Sequence, residues 1–154
     1  MYERILVALD GSKVGETALP YVEDLVSKMS PDVEVEVTLL QVLSPITQPV
    51  VRGEAAINIP ISEKEMGNRK DLAADYLNKV GESLRSRGAA VTARVAVGNP
   101  PEEIVKAAEE IDVNFIAMST HGRSGLGRWA FGSVTDRVLR MGGQIPIIMV
   151  KAQK

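Results

Sequence analysis

Between Ser119 and Arg140 the sequence gathers glycines, hydroxyls and arginines in a pattern suited to holding an anion. Gly122, Gly125 and Gly127 are followed by Gly132-Ser133, where a helical spacing of apolar residues opens. Glycine lets a backbone come close to a ligand and adopt positive φ, so successive N–H groups can converge on a phosphate. A helix beginning at Ser133 adds its own unbonded N–H groups and the positive end of its dipole. Arg123, Arg128, Arg137 and Arg140 stand against Asp136 alone, a local net of +3 in a chain whose formal net charge is −2, which leaves −5 for the rest. An acidic protein that places its cations beside a glycine loop attracts anions there. The same residues also admit a plainer role, with glycines that only turn the chain and arginines on a solvated face.

Two familiar phosphate-binding patterns are absent. A P-loop needs a lysine directly before its Ser/Thr, and Phe131-Gly132-Ser133 stands there instead. A dinucleotide fingerprint follows the first strand as Gly-x-Gly-x-x-Gly, whereas Gly122-x-x-Gly125-x-Gly127 has another spacing and lies late in the chain. His121 is the single histidine and there is no cysteine, which removes multi-histidine metal cages, thiolate sites and a cysteine nucleophile. His121 has no acid partner in sequence and reads as a structural or solvent-facing loop residue. Trp129, the only tryptophan, reads as packing its loop onto the domain. A net charge of −2 argues against a general nucleic-acid or anionic-membrane binder. Apolar runs stay far below the ~20 residues of a membrane span. After Met1-Tyr2-Glu3-Arg4 come five apolar residues and then Asp10, too few for a signal-peptide core. A cytoplasmic location is the default expectation.

The elements that must position these residues alternate between strand and helix. The length of 154 residues predicts one domain over 1–154, and 45% hydrophobic against 25% charged residues is an ordinary globular balance. Ile5–Leu9, Val33–Val42, Val91–Val97, Val113–Met118 and Pro146–Val150 read as strands. In the second of these, Val33, Val35 and Val37 alternate with Glu34 and Glu36, so its first half should project beyond a fully covered sheet. Helical spacing is expected over Ser12–Met29, Ser62–Arg87, a segment from Asn99 to about Glu110, and Ser133–Met141. Leu72, Ala73, Tyr76, Leu77, Val80 and Leu84 fall on one stripe of the second helix, and Ser62-x-x-Glu65 reads as its capping box. Asn99 can cap the third helix, with Pro100 and Pro101 in its first turn. Ser44 to Ile61 carries Pro45, Pro49 and Pro60 without a clear period and is expected to be a long irregular loop. This alternation implies an α/β fold: a single doubly wound parallel five-stranded sheet with helices on both faces.

Ligands of such sheets bind outside the carboxyl ends of the strands, where strand order reverses. Three strand-end loops qualify, at 9–12, 42–45 and 118–122. Their residues carry a resemblance. Val7-Ala-Leu-Asp-Gly-Ser12, Leu39-Leu-Gln-Val42, and Met118-Ser-Thr-His-Gly-Arg-Ser-Gly125 running on to Gly132-Ser-Val134 resemble the universal stress proteins of the adenine-nucleotide-binding type. The family pattern is Gly-x2-Gly-x9-Gly-Ser/Thr, and Gly122 followed by nine residues and Gly132-Ser133 matches its second half. Ser119 stands at the pattern's first glycine, where its side chain is either tolerated or crowds the ligand.

The resemblance implies a Rossmann-like strand order 3-2-1-4-5 and a role for each matching residue. Asp10 would accept from the ribose hydroxyls, although Asp10-Gly11 by itself also reads as a turn with a capping aspartate. Val42 would meet the adenine edge through its backbone, with Ala8 and Leu9 beside it. Met118 and Ser119 would border the ribose and first phosphate. Gly122, Gly132, Ser133 and Val134 would hold phosphates through N–H groups and the serine hydroxyl. Arg123 and Arg128, read from the residues alone, either touch phosphate or are surface charges. ATP is the implied ligand, with Mg²⁺ held mainly through phosphates and water. The implied function is a nucleotide-dependent regulatory or stress-response module without efficient catalysis. The alternatives are a slow ATP hydrolase or phosphotransferase, or a nucleotide-free dimeric scaffold. A homodimer is expected through Ile147–Val150, an apolar strand that the family order places at the sheet edge.

Overall fold

Short β-branched and leucine-rich runs, each stopped by a turn, form a five-stranded sheet, and the amphipathic segments between them become the helices that cover it. Residues 1–45, 47–53, 55–120 and 133–152 are described by a computed structural model. The elements are β1 (Tyr2–Leu9), α1 (Ala18–Lys28), β2 (Glu34–Leu43), β3 (Thr47–Arg52), β4 (Ala55–Pro60), α2 (Glu63–Val80), α3 (Glu82–Ser86), β5 (Ala90–Val97), α4 (Pro100–Ile111), β6 (Phe115–Thr120), α5 (Ser133–Met141) and β7 (Ile147–Lys151). The sheet order is β5-β2-β1-β6-β7, every pairing is parallel, and counted along those five strands it is 3-2-1-4-5.

Side chains of successive strand residues point to opposite faces, so the sheet has two separate cores. Ile5, Val7 and Leu9 of β1 share one face with Val37 and Leu39 of β2 and Ala117 of β6, under α1, α2 and α3. Leu6, Leu40, Ile116 and Met118 share the other, under α4 and α5. The first half of β2 behaves as its alternation implies: Glu34 and Glu36 are exposed while Val35 and Val37 are buried.

Five local expectations change. The segment 44–61 is not irregular, because Thr47–Arg52 and Ala55–Pro60 pair antiparallel as a hairpin. Its two strands form a sheet of their own, so each keeps one unpaired edge, and proline's missing N–H is tolerated in such strands. Gly53, at φ +69, supplies the left-handed turn residue that a tight hairpin needs. The first helix is also shorter: a 3₁₀ turn over Gly15–Thr17 precedes α1, which begins at Ala18.

The expected helix over Ser62–Arg87 divides at Gly81 into α2 and α3. Helical bonding continues through the joint, with Gly81 N donating to Leu77 O at 3.0 Å and Arg85 N to Gly81 O at 3.1 Å. A Cβ at Gly81 would stand 2.9 Å from Val91 Cγ1 and 3.1 Å from Leu39 Cδ1. Glycine therefore lets this helix lie directly on the sheet. Ser62 does cap α2, accepting from Glu65 N at 3.2 Å, but the Asn99 side chain makes no cap bond to α4. Leu72, placed on the buried stripe by its spacing, is 69% exposed.

Candidate functional site

The site follows from where strand pairing stops. β1 pairs with β2 as far as Leu9↔Gln41, but with β6 only from Ile5↔Phe115 to Val7↔Ala117. Beyond Val7 and Ala117 these two neighbours leave the ladder, at the point where strand order reverses. The gap is the mouth of a cavity of about 240 Å³ on the α4/α5 side. Ala8, Leu9 and Asp10 reach it from β1, Val42 from β2, Met118 and Ser119 from β6, and Ser133 and Val134 from the start of α5. Eight of the residues singled out from the sequence thus meet at one place. Gly122, Arg123 and Gly132 lie outside the described residues, as do His121, Arg128 and Trp129.

Four further lining residues went unnoticed in the sequence: Leu40, Pro100, Ile104 and Thr135. Leu40 is two residues before Val42 and shares its face of β2, which period two alone could have shown. Pro100 and Ile104 are four apart in α4, on one side of the helix that leaves β5. The rule of strand carboxyl ends, applied to β5 as well, would have drawn them in. Thr135 lies in the first turn of α5, where N–H groups have no intrahelical acceptor. The cavity therefore has an apolar wall of strand and α4 residues and a polar rim of Asp10 and the α5 N-terminus.

The backbone of β2 adds one acceptor. Gly98 N donates to Leu43 O at 3.0 Å, so the Leu43 carbonyl turns toward β5. Carbonyls alternate in direction along a strand, which turns that of Val42 toward β1. The β1 ladder has already ended at Leu9↔Gln41, so this carbonyl is directed past the end of the strand.

A hydrogen-bonded turn holds Asp10. Its Oδ1 accepts from Ser12 N at 2.9 Å and from Ser12 Oγ at 2.6 Å, and Ser12 Oγ accepts from Gly15 N at 3.0 Å. This is the turn that Asp10-Gly11-Ser12 reads as in sequence, and it sits at the rim of the cavity. Gly11, at φ +83, takes the left-handed conformation the turn requires. Gly15 is fixed by crowding: a Cβ there would stand 2.3 Å from Asp10 Oδ1. Ser119 reaches the same turn, accepting from Ala18 N at 2.9 Å and donating to Gly15 O at 2.8 Å.

On the opposite face of the sheet, the side-chain oxygens Gln41 Oε1 and Tyr76 Oη are buried with no hydrogen-bond partner among the described residues. Burial, then the negative charges of Glu16 and Asp10, push the Tyr76 phenol up from 10.0 to about 12. The unfolded chain would ionise this group first, so stability should fall as pH rises from 10.0 toward about 12. An ultraviolet titration should show a late phenolate step that disappears in Tyr76→Phe. A late step that survives in that variant would assign it elsewhere.

Three comparisons bear on the site. A family model described as "Universal stress protein family" matches residues 1–151. Universal stress protein MJ0577 of Methanocaldococcus jannaschii is 30% identical over 161 residues, covering 98% of this chain and 96% of that protein. Universal stress protein YxiE of Bacillus subtilis is 25% identical, covering 98% of this chain and all of its own length (100%). Among solved structures, that of MJ0577 superposes with a TM-score of 0.74 at 27% identity, over 100% of this chain and 99% of that one. A universal stress protein from Archaeoglobus fulgidus in complex with dAMP superposes with a TM-score of 0.61 at 24% identity, over 97% of this chain and 98% of that one.

Proposed function

Because the chain belongs to the universal stress protein family, we propose that its cavity binds adenine nucleotides, ATP with Mg²⁺ being the form it takes up in the cytoplasm, and that occupancy regulates the protein. One observation carries the reading. The crevice at the β1/β6 switch point joins an apolar slot, a directed backbone carbonyl, a carboxylate and a helix N-terminus within one cavity. Each part suits one part of the ligand. Ala8, Leu40, Val42, Ile104 and Met118 offer an apolar slot for a flat base, with the Val42 carbonyl as acceptor for its amino group. Asp10 at the rim is a hydroxyl acceptor for the ribose. Ser133, Val134 and Thr135 present the first N–H groups of α5 to phosphate, where the helix dipole favours negative charge. The dAMP bound by the Archaeoglobus protein, which shares this fold, supports the ligand class.

The fit to a metal is of a different kind. Among the described residues no cluster of three acidic, histidine or cysteine side chains could hold an ion. Mg²⁺ would be held mainly through phosphate oxygens and water, which suits its reluctance to dehydrate. The metal would neutralise phosphate charge, and the protein's part is to seat base and sugar. Acid extraction of the purified protein followed by mass spectrometry should release an adenine nucleotide, and calorimetry should show binding of ATP with Mg²⁺ and of AMP. An empty extract together with no heat of binding would refute the reading.

The Asp10 turn gives a sharper test. Gly15→Ala puts a methyl 2.3 Å from Asp10 Oδ1 and 3.3 Å from Ser12 Oγ, so the carboxylate must leave its place. Nucleotide affinity should fall about tenfold or more with only a small change in melting temperature, a loss equivalent to one charge-assisted hydrogen bond. Wild-type affinity in this variant would remove Asp10 from the site.

Assembly is part of the same proposal. β7 ends the sheet, and Ile147 to Val150 are half-buried in the single chain. A half-covered apolar edge strand is stabilised by pairing with its copy about a two-fold axis. Sedimentation should give about twice the monomer mass. No helix among the described residues is long and apolar enough to cross a membrane.

A further inference from the structure

Ser119 occupies the place of the family pattern's first glycine, and its hydroxyl bonds to Ala18 N and Gly15 O. We propose that Ser119 is a positioning residue, a clamp that ties the Asp10 turn to the end of β6 and thereby sets the carboxylate at the mouth of the site. The effect on affinity rests on the nucleotide reading above; the clamp itself does not.

The orientation follows from strand period. Phe115 and Ala117 pack on the α1 face of the sheet while Met118 packs on the cavity face. Ser119 continues the odd register, so its side chain stands on the α1 side and leaves the cavity rim to its backbone. There Oγ accepts from Ala18 N at 2.9 Å and donates to Gly15 O at 2.8 Å, across more than a hundred residues of sequence. Thr17, at the N-cap position of α1, makes no side-chain cap bond. β6 thus supplies from a distance a side-chain acceptor for the first N–H of the helix, beside the Glu16 carbonyl to which that N–H also donates.

From Gly15 the bonds run on to the site. Gly15 N donates to Ser12 Oγ at 3.0 Å, and Ser12 Oγ donates to Asp10 Oδ1 at 2.6 Å. Each hydroxyl in this chain accepts one N–H and gives its proton to one oxygen, so neither is free to rotate to another arrangement. A glycine at 119 would leave Gly15 O and Ala18 N without this partner. The serine therefore exchanges the pattern's smallest residue for a tether on the far side of the strand, where it does not crowd a ligand.

The test combines amide exchange with AMP titration in the wild type and in Ser119→Ala, Ser119→Thr and Ser119→Val. Threonine and valine have nearly the same shape and differ in the hydroxyl, so the pair separates bonding from volume. In Ser119→Ala and Ser119→Val, exchange should speed up at least about tenfold at Ala18 and also at Gly15 and Ser12, and AMP affinity should fall about tenfold. Ser119→Thr should stay within about twofold of the wild type on both readings. Faster exchange at Ala18 alone with wild-type AMP affinity would reduce Ser119 to a local helix cap and overturn the proposal, as would a Ser119→Val variant indistinguishable from Ser119→Thr. A wild type that binds no AMP would defeat the nucleotide reading, while exchange at Gly15 and Ser12 would still decide whether the clamp exists.

Discussion

Ala8→Leu should weaken adenine-nucleotide binding by more than about a hundredfold while leaving the protein folded. Ala8 lies on the cavity face of β1, two residues after Leu6, and it lines the apolar part of the cavity. A leucine there directs its branched end into a space of about 240 Å³ where the base would sit. The loss is steric, so no reorientation of the ligand recovers it, and about a hundredfold corresponds to ~2.7 kcal/mol. The fold tolerates the change because the new carbons enter existing apolar space rather than a filled core. Each buried CH₂ contributes about 0.8 kcal/mol, so stability should hold or rise. Calorimetric titration with AMP and a thermal melt check both halves. Wild-type affinity would show that the base does not occupy this cavity.

Leu6→Ala should have the opposite profile, costing about 3–4 kcal/mol of stability. Leu6 is fully buried in β1, the central strand of the sheet, and packs in one cluster with Leu40, Ile116, Ile104, Val105 and Val138. Its loss leaves a cavity walled by β-sheet on one side and α4 and α5 on the other, which cannot collapse without moving a helix. The urea midpoint should fall with an unchanged slope. Leu72→Ala is the matched comparison: Leu72 is 69% exposed, and truncating it should change stability by no more than about 0.5 kcal/mol. Equal effects at the two positions would contradict the packing described above.

These two leucines also show where sequence reading stops. Both stand in apolar patterns, and the helical spacing that put Ala73 and Leu77 correctly in the core put Leu72 there as well. Spacing fixes an angle around the helix axis, but the sheet it faces decides how wide the covered stripe is. In the same way, proline in Pro49 and Pro60 argued against regular strands, and the hairpin formed because its strands pair only with each other. The pattern of types could not reveal that these strands had free edges.

What the sequence determined alone is the alternation of strand and helix, the parallel sheet it requires, and the strand ends that can carry a site. These follow from local causes: runs of β-branched residues, amphipathic period and turn residues act within a few positions of one another. Asp10, Val42 and Met118 were legible because each follows or closes an apolar run, and a strand's end is a local event. Only the tertiary structure decided that the crevice opens where β1 and β6 part after Val7 and Ala117, that α4 contributes Pro100 and Ile104 to its wall, and that the Ser119 hydroxyl turns to α1 rather than into the cavity. Each of these depends on residues far apart in sequence meeting in one register, and such pairings are fixed by the packing of whole elements rather than by any neighbourhood along the chain.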